Sequence, residues 1–287
     1  MKRVVFVYCE GPHDIAFAVR SLGAHGYSWC TRKVSELPPP LGSTVKLSGI
    51  VLNQLYGGDL GARVTRNVSH PPSPVLRNAL EGEHGETLLL FYETHGKDDH
   101  KPVKRFIENV KLAFDAGAGS WPLEAHAHAF LNDADHDLSK TITTLEDQRL
   151  RPTFPSMPSL VHGAWCKVQE VPLACYIFAG ADGNSGTLED SLETVGRDAW
   201  PRRWTAAEKF IDIEKSPIIL GEYEAQIYEA HKNPSARIKA VFTAAGQLDR
   251  PGDPLSMMLH NKMIASAVFE RHPQSLALSK FFKEIPW

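Results

Sequence analysis

Four short, nearly unbroken apolar runs constrain this chain more than anything else in it: Val4–Cys9, Thr87–Tyr92, Ala127–Asn132 and Leu173–Phe178. Each is the length of a strand and none alternates with polar residues. A strand of that kind must be covered on both faces, as in a parallel sheet flanked by helices. The intervening segments agree. Asp14 to Gly23 and Lys101 to Phe114 carry apolar residues at helical spacing, and Asp137 to Leu150 reads as a further helix. Strand, helix, strand from Thr87 to Asn132 is a right-handed crossover. The expected class is α/β.

The ends of two runs carry acids. Val4–Cys9 is followed by Glu10-Gly11, with Asp14 four residues beyond Glu10; Ala127–Asn132 is followed by Asp133-Ala134-Asp135. Open α/β sheets place ligands at the carboxyl ends of their strands. Carboxylates there suit Mg²⁺ or Mn²⁺, hard ions that take oxygen ligands and commonly share substrate phosphates. Gly11 lacks a Cβ, so a phosphate or ion can approach the main chain closely. Asp14, in the first turn of a helix, would suit both the helix dipole and a cation. Glu93-Thr94-His95-Gly96-Lys97 follows the second run on the same edge, which makes His95 and Lys97 candidates for substrate contact.

Glu-Gly-x-x-Asp after a first strand and Asp-x-Asp after a later one resemble the Toprim domain of topoisomerases, bacterial primases, small ribonucleases and OLD-family nucleases. Tyr176 to Asp190, with Asp182-Gly183-Asn184 and Leu188-Glu189-Asp190, resembles stand-alone Toprim-like proteins, as do Lys239-Ala240 and Pro251 to Leu255. The matches touch most of the chain outside residues 31 to about 85.

The resemblance implies a Rossmann-like, mostly parallel sheet flanked by helices. Residues 1–150 would form the core, with an insertion over about 31–86, and 151–287 would complete the sheet and add helices. It further implies metal ligation by Glu10, Asp133 and Asp135, with Asp14 and Glu189 at a second ion, and Glu10 as ligand or general acid/base. Two ions ~3.5–4 Å apart would activate water and stabilise the leaving oxygen. Lys239 would steady charge at the scissile phosphate, as a lysine does after the late acid of OLD-like enzymes. The implied activity is a Mg²⁺- or Mn²⁺-dependent nuclease on DNA or RNA. The alternatives are a non-catalytic metal- or nucleic-acid-binding module and a phosphoryl hydrolase or transferase on a small metabolite.

The remaining signals set limits. A net charge of −3 argues against broad electrostatic wrapping of nucleic acid but allows a local basic track. Its candidates are Lys97, Lys101, Lys104 and Arg105, then Arg197, Arg202 and Arg203, then Lys232, Arg237 and Lys239. No apolar run is long enough to span a bilayer, so no membrane partner is expected. Cys9, Cys30, Cys166 and Cys175 form no Cys-x-x-Cys pair, which fits free thiols in a cytoplasmic compartment. A homodimer is compatible with this reading. His126, His128 and His136 offer a rival zinc set, although the first two precede the strand tip. There is no Gly-x-x-x-x-Gly-Lys-Ser/Thr loop and no recognisable topoisomerase tyrosine, zinc ribbon or primase partner domain.

Overall fold

The computed structural model describes residues 3–31, 75–82, 85–94, 96, 101–115, 124–213, 233–249, 251–260 and 263–287. Among these residues seven strands form one sheet: β1 (Arg3–Cys9), β2 (Ser28–Trp29), β3 (Val75–Glu81), β4 (Thr87–Glu93), β5 (Ala125–Asp133), β6 (Trp165–Val168) and β7 (Val171–Phe178). Their spatial order is β2-β3-β4-β1-β5-β7-β6. The four apolar runs of the sequence are the four central strands, β4-β1-β5-β7, and they are mutually parallel. Antiparallel strands close both edges, so the sheet is mixed.

Alternate residues of the central strands feed two different cores. Val5, Val7, Phe91, Ala129 and Phe178 face α1 (Pro12–Ala24) and the C-terminal helices. Val4, Phe6, Tyr8, Leu90 and Ile177 face α2 (Lys101–Asp115), α3 (Leu138–Leu145) and the π-helix Glu146–Leu150. Burial on both faces explains why the sequence of these strands does not alternate. The remaining helices are α4 (Leu188–Ala199), α5 (Pro201–Ile213), α6 (Pro234–Gln247), α7 (Leu255–His260), α8 (Ser266–Arg271) and α9 (Pro273–Lys283). Among the described residues no helix is long and apolar enough to cross a membrane.

Three departures from the sequence reading stand out. The expected insertion over 31–86 contains β3, which pairs antiparallel with β4, so the chain rejoins the sheet before Thr87. The short strand β6 turns into β7 through Gln169 and Glu170, both at positive φ (50° and 67°), a two-residue hairpin turn. The helix expected over Asp137–Leu150 changes to π geometry at Glu146. There Glu146 accepts from the Leu160 N–H and pairs with Arg151, which holds the buried carboxylate.

Two buried groups give predictions. A Cβ added at Gly196 in α4 would lie 2.1 Å from the Trp204 ring, which is 1% exposed. Gly196→Ala therefore forces the indole aside and is expected to destabilise by about 1–3 kcal/mol, the range for overpacked cores. Calorimetry should show a lower Tm; an unchanged Tm would mean the Trp204 pocket yields freely. The second group is His128, fully buried on β5 with its Nδ1 2.9 Å from the Tyr8 hydroxyl. Burial, and then neighbouring His126, hold its pKa well below the ordinary value. The unfolded chain takes up a proton near pH 6.5 while the folded one resists. Stability from this group is thus complete above pH 6.5 and is lost as pH falls below it. Denaturant titrations from pH 7.5 to 5 should give wild type a steeper acid loss than His128→Asn; parallel curves would refute the assignment.

Candidate metal-binding site

β1 lies between β4 and β5, and Cys9 is level with Glu93 on one side and Leu131 on the other. Glu10, one residue past the tip of β1, therefore comes beside Asn132. The Asn132 side-chain amide donates to Glu10 Oε1 at 2.8 Å, and the Asp133 N–H approaches the same oxygen at 3.3 Å. Gly11 caps α1, and its N–H donates to Asp14 Oδ2 at 2.8 Å. This is half of a capping box, so Asp14 is placed by the helix start as the sequence suggested.

β7 runs beside β5 and delivers the other half of the site. The N–H of Leu188, first residue of α4, donates to Asp133 Oδ1 at 2.8 Å. The next residue, Glu189, is 4% exposed and is met by Lys239 from α6, with Nζ 2.9 Å from Oε1. A Thr187–Ser235 hydroxyl contact of 3.0 Å links the same two helices.

The loops after β5 and β7 are clasped together. Asp135 and Gly186 exchange backbone N–H···O bonds of 2.7 Å each, and the Leu138 N–H donates to the Asn184 carbonyl. Gly186 sits at φ 111°, and a Cβ there would come within 2.5 Å of Asp190 Oδ2 and the Gly180 nitrogen. Only glycine satisfies both the angle and the approach. Asp182 builds the same turn: bonds from the Ser185 hydroxyl, then the Ser185 and Asn184 N–H groups, hold its pKa at about 2.

Crowding dominates the electrostatics. Burial, and then the charge of Asp133 and Glu10, push Asp14 well above the ordinary carboxyl range, against the pull of the Gly11 N–H. Asp133 is raised to about 7 by burial, then Glu189 and Glu10, with the Leu188 N–H and Lys239 opposing. Burial, and then Lys239, lower His13, which also feels Glu189 and Glu93. Glu93 is balanced by Arg77. Among the described residues, four interacting carboxylates thus face Lys239, and like charges that close disfavour joint ionisation unless a cation joins them.

Glu10, Asp14, Asp133 and Glu189 therefore converge, with Lys239 against them. Asp135 takes φ 52° and lines a cavity of about 500 Å³ beside α3, together with Asn132 and His136. Gly11 serves as the cap of α1. His95 and Lys97 lie outside the described residues, as does Lys232. In one basic cluster Arg197 pairs with Glu193 and Glu208 and Arg203 with Asp249, and in another Lys104 lies 3.8 Å from Glu108. Asn132 and His13 complete the surroundings. An amide ahead of an acid at a strand tip gives no distinctive sequence signal, and Asn132 was not anticipated.

Among the described residues no group of three Asp, Glu, His or Cys side chains stands ready to hold an ion. The donors nonetheless suit one. Glu10, Asp14, Asp133 and Glu189 each commit one carboxylate oxygen to a donor, Oε1, Oδ2, Oδ1 and Oε1 respectively. An all-oxygen set of this kind is what Mg²⁺ or Mn²⁺ takes. The zinc alternative is weaker, because His128 is engaged with Tyr8 inside the core and His136 is exposed at the cavity. The four cysteines form no disulfide, and burial pushes Cys175 up to about 12, which makes it a poor nucleophile.

No family model matches the chain, and no curated protein matches it. Among solved structures, a hypothetical protein from Pyrococcus horikoshii OT3 is similar over 99% of this chain and 95% of its own, at 14% identity and a TM-score of 0.48.

Proposed function

We propose that the chain is a Toprim-like, Mg²⁺- or Mn²⁺-dependent phosphodiesterase that cuts DNA or RNA. One observation carries the reading: acids following β1, β5 and β7 meet at the carboxyl edge of a parallel sheet with Lys239 against them. A site of that composition needs positive charge to ionise fully, and a divalent ion together with a phosphodiester supplies both the charge and the substrate for it.

Glu10, Asp14, Asp133 and Glu189 would hold the metal, which when bound supplies Lewis-acid stabilisation and a lower pKa for an attacking water. The chain's own residues do the positioning. Asn132 fixes the Glu10 carboxylate, and the Leu188 N–H fixes that of Asp133. Lys239 places a cation at the mouth of the cluster, where charge develops on a scissile phosphate. A second reading is favoured by that lysine: because it already neutralises Glu189, the site could serve a module that binds metal or nucleic acid without cutting.

Labelled single- and double-stranded DNA and RNA, incubated with Mn²⁺, Mg²⁺ or chelator, test the proposal directly. Metal-dependent cleavage that disappears in Asp133→Asn is expected. Metal-induced stabilisation with no cleavage of any substrate would select the non-catalytic module, and neither effect would remove the metal from the account.

A further inference from the structure

Glu189 reaches the carboxylate cluster with a cation attached, and the two helices that bring the pair together are joined at their starts. Thr187, which caps α4, meets Ser235 in the first turn of α6 through a hydroxyl contact of 3.0 Å. Lys239 stands one turn beyond Ser235 and shares its face of α6. Its Nζ lies 2.9 Å from Glu189 Oε1, and the Glu189 side chain is only 5% exposed. A carboxylate buried to that degree is costly unless it is paired. The ion pair is therefore part of how α4 and α6 meet.

Glu10, Asp14 and Asp133 are held differently. The Asn132 amide, the Gly11 N–H and the Leu188 N–H each fix one of their oxygens without adding charge. The reach of Lys239 across the cluster is also uneven. Its charge is felt by Asp133 and, at the start of α1, by His13, whereas Asp14 feels Asp133, Glu10 and Glu189. The ammonium thus covers the Glu189 side and leaves the side of Glu10 and Asp14 open.

An ion seated on the covered side would share Glu189 Oε1 with that ammonium, and two cations on one buried oxygen repel strongly. An ion on the open side meets no such charge. Mg²⁺ needs only one or two protein carboxylates and completes its shell with water and substrate oxygens, so the open side suffices for it.

We infer that the cluster takes a single divalent ion, on the side of Glu10, Asp14 and Asp133, and that the Lys239 ammonium fills the place of a second. The inference rests on the metal-binding reading of these acids and fixes how many ions they hold, in contrast to the pair of ions that the sequence resemblance implies.

Titration of the full chain with Mn²⁺ at pH 8 provides the test, with calorimetry reading the stoichiometry and electron paramagnetic resonance reading coupling between ions. Wild type is expected to bind one ion and to give an uncoupled spectrum. Lys239→Ala should bind two, with the exchange-coupled signal of ions ~3.5–4 Å apart, and Lys239→Arg, which keeps the charge, should again bind one. Both substitutions alter a half-exposed side chain, and circular dichroism checks that each variant is folded. A coupled pair of ions in wild type overturns the inference and keeps the metal-binding reading, as does a single ion in folded Lys239→Ala. Failure of wild type to bind any ion overturns both.

Discussion

Asp133→Asn is expected to make the metal-free protein more stable at pH 8 while abolishing the proposed metal-dependent cleavage. The folded-state pKa of Asp133 is about 7, against an ordinary carboxyl value near 4. Between those values the folded protein keeps a proton that the unfolded chain has released, so stability falls as pH rises and the loss is complete above pH 7. At about 1.4 kcal/mol per unit this amounts to a few kcal/mol. Asparagine carries no charge to desolvate, and its side-chain oxygen can still accept from the Leu188 N–H. The variant should therefore unfold several degrees above wild type at pH 8 and level with it near pH 4. Mn²⁺ should raise the wild-type Tm by mass action and leave the variant unmoved. A variant less stable than wild type at pH 8 without metal would mean that the negative charge of Asp133 is already compensated.

Lys239→Ala should separate binding from chemistry. Loss of a preorganised cation beside a phosphate lowers turnover by about 10²–10³. The same substitution releases Glu189 Oε1 and removes a charge that pulls Asp133 down. The metal-free protein should then be less stable at alkaline pH, and the stabilisation by Mn²⁺ should persist or grow. Single-turnover rates at saturating Mn²⁺, paired with thermal shifts, read both quantities. An unchanged rate with a larger shift would show that Lys239 only occupies the place of an ion.

What could be read from the sequence follows from how locally each feature is determined. β1, β4, β5 and β7 announce themselves because strands buried on both faces must be apolar throughout. β3 does not: it carries Arg77 and Asn78, borders a Pro- and Gly-rich passage, and is defined by its antiparallel pairing with β4. β6 is shorter still and depends on a turn whose two residues at positive φ, Gln169 and Glu170, are unusual choices for it. In the site, Glu10, Asp14 and Asp133 are fixed by strand ends and a helix cap, which are local. The Asp135 backbone pairs with that of Gly186, 51 residues further along the chain, a contact no local pattern reveals. Asn132 matters only because β1 brings Glu10 alongside it, which no pattern within β5 reveals.

The pairing of Asp135 with Gly186, reinforced by Leu138 with Asn184 and by Asp133 with Leu188, has a mechanical meaning. The main chain carrying Asp133 and the main chain carrying Glu189 form one stitched frame, so these two acids advance or retreat together. The interval between their attachment points acts as a gauge cut into the backbone rather than an opening that adapts to its occupant. Mg²⁺ requires ligand distances of about 2.0–2.1 Å and Ca²⁺ about 2.3–2.6 Å. At the proposed metal site, a frame of fixed width would favour one ion radius over another.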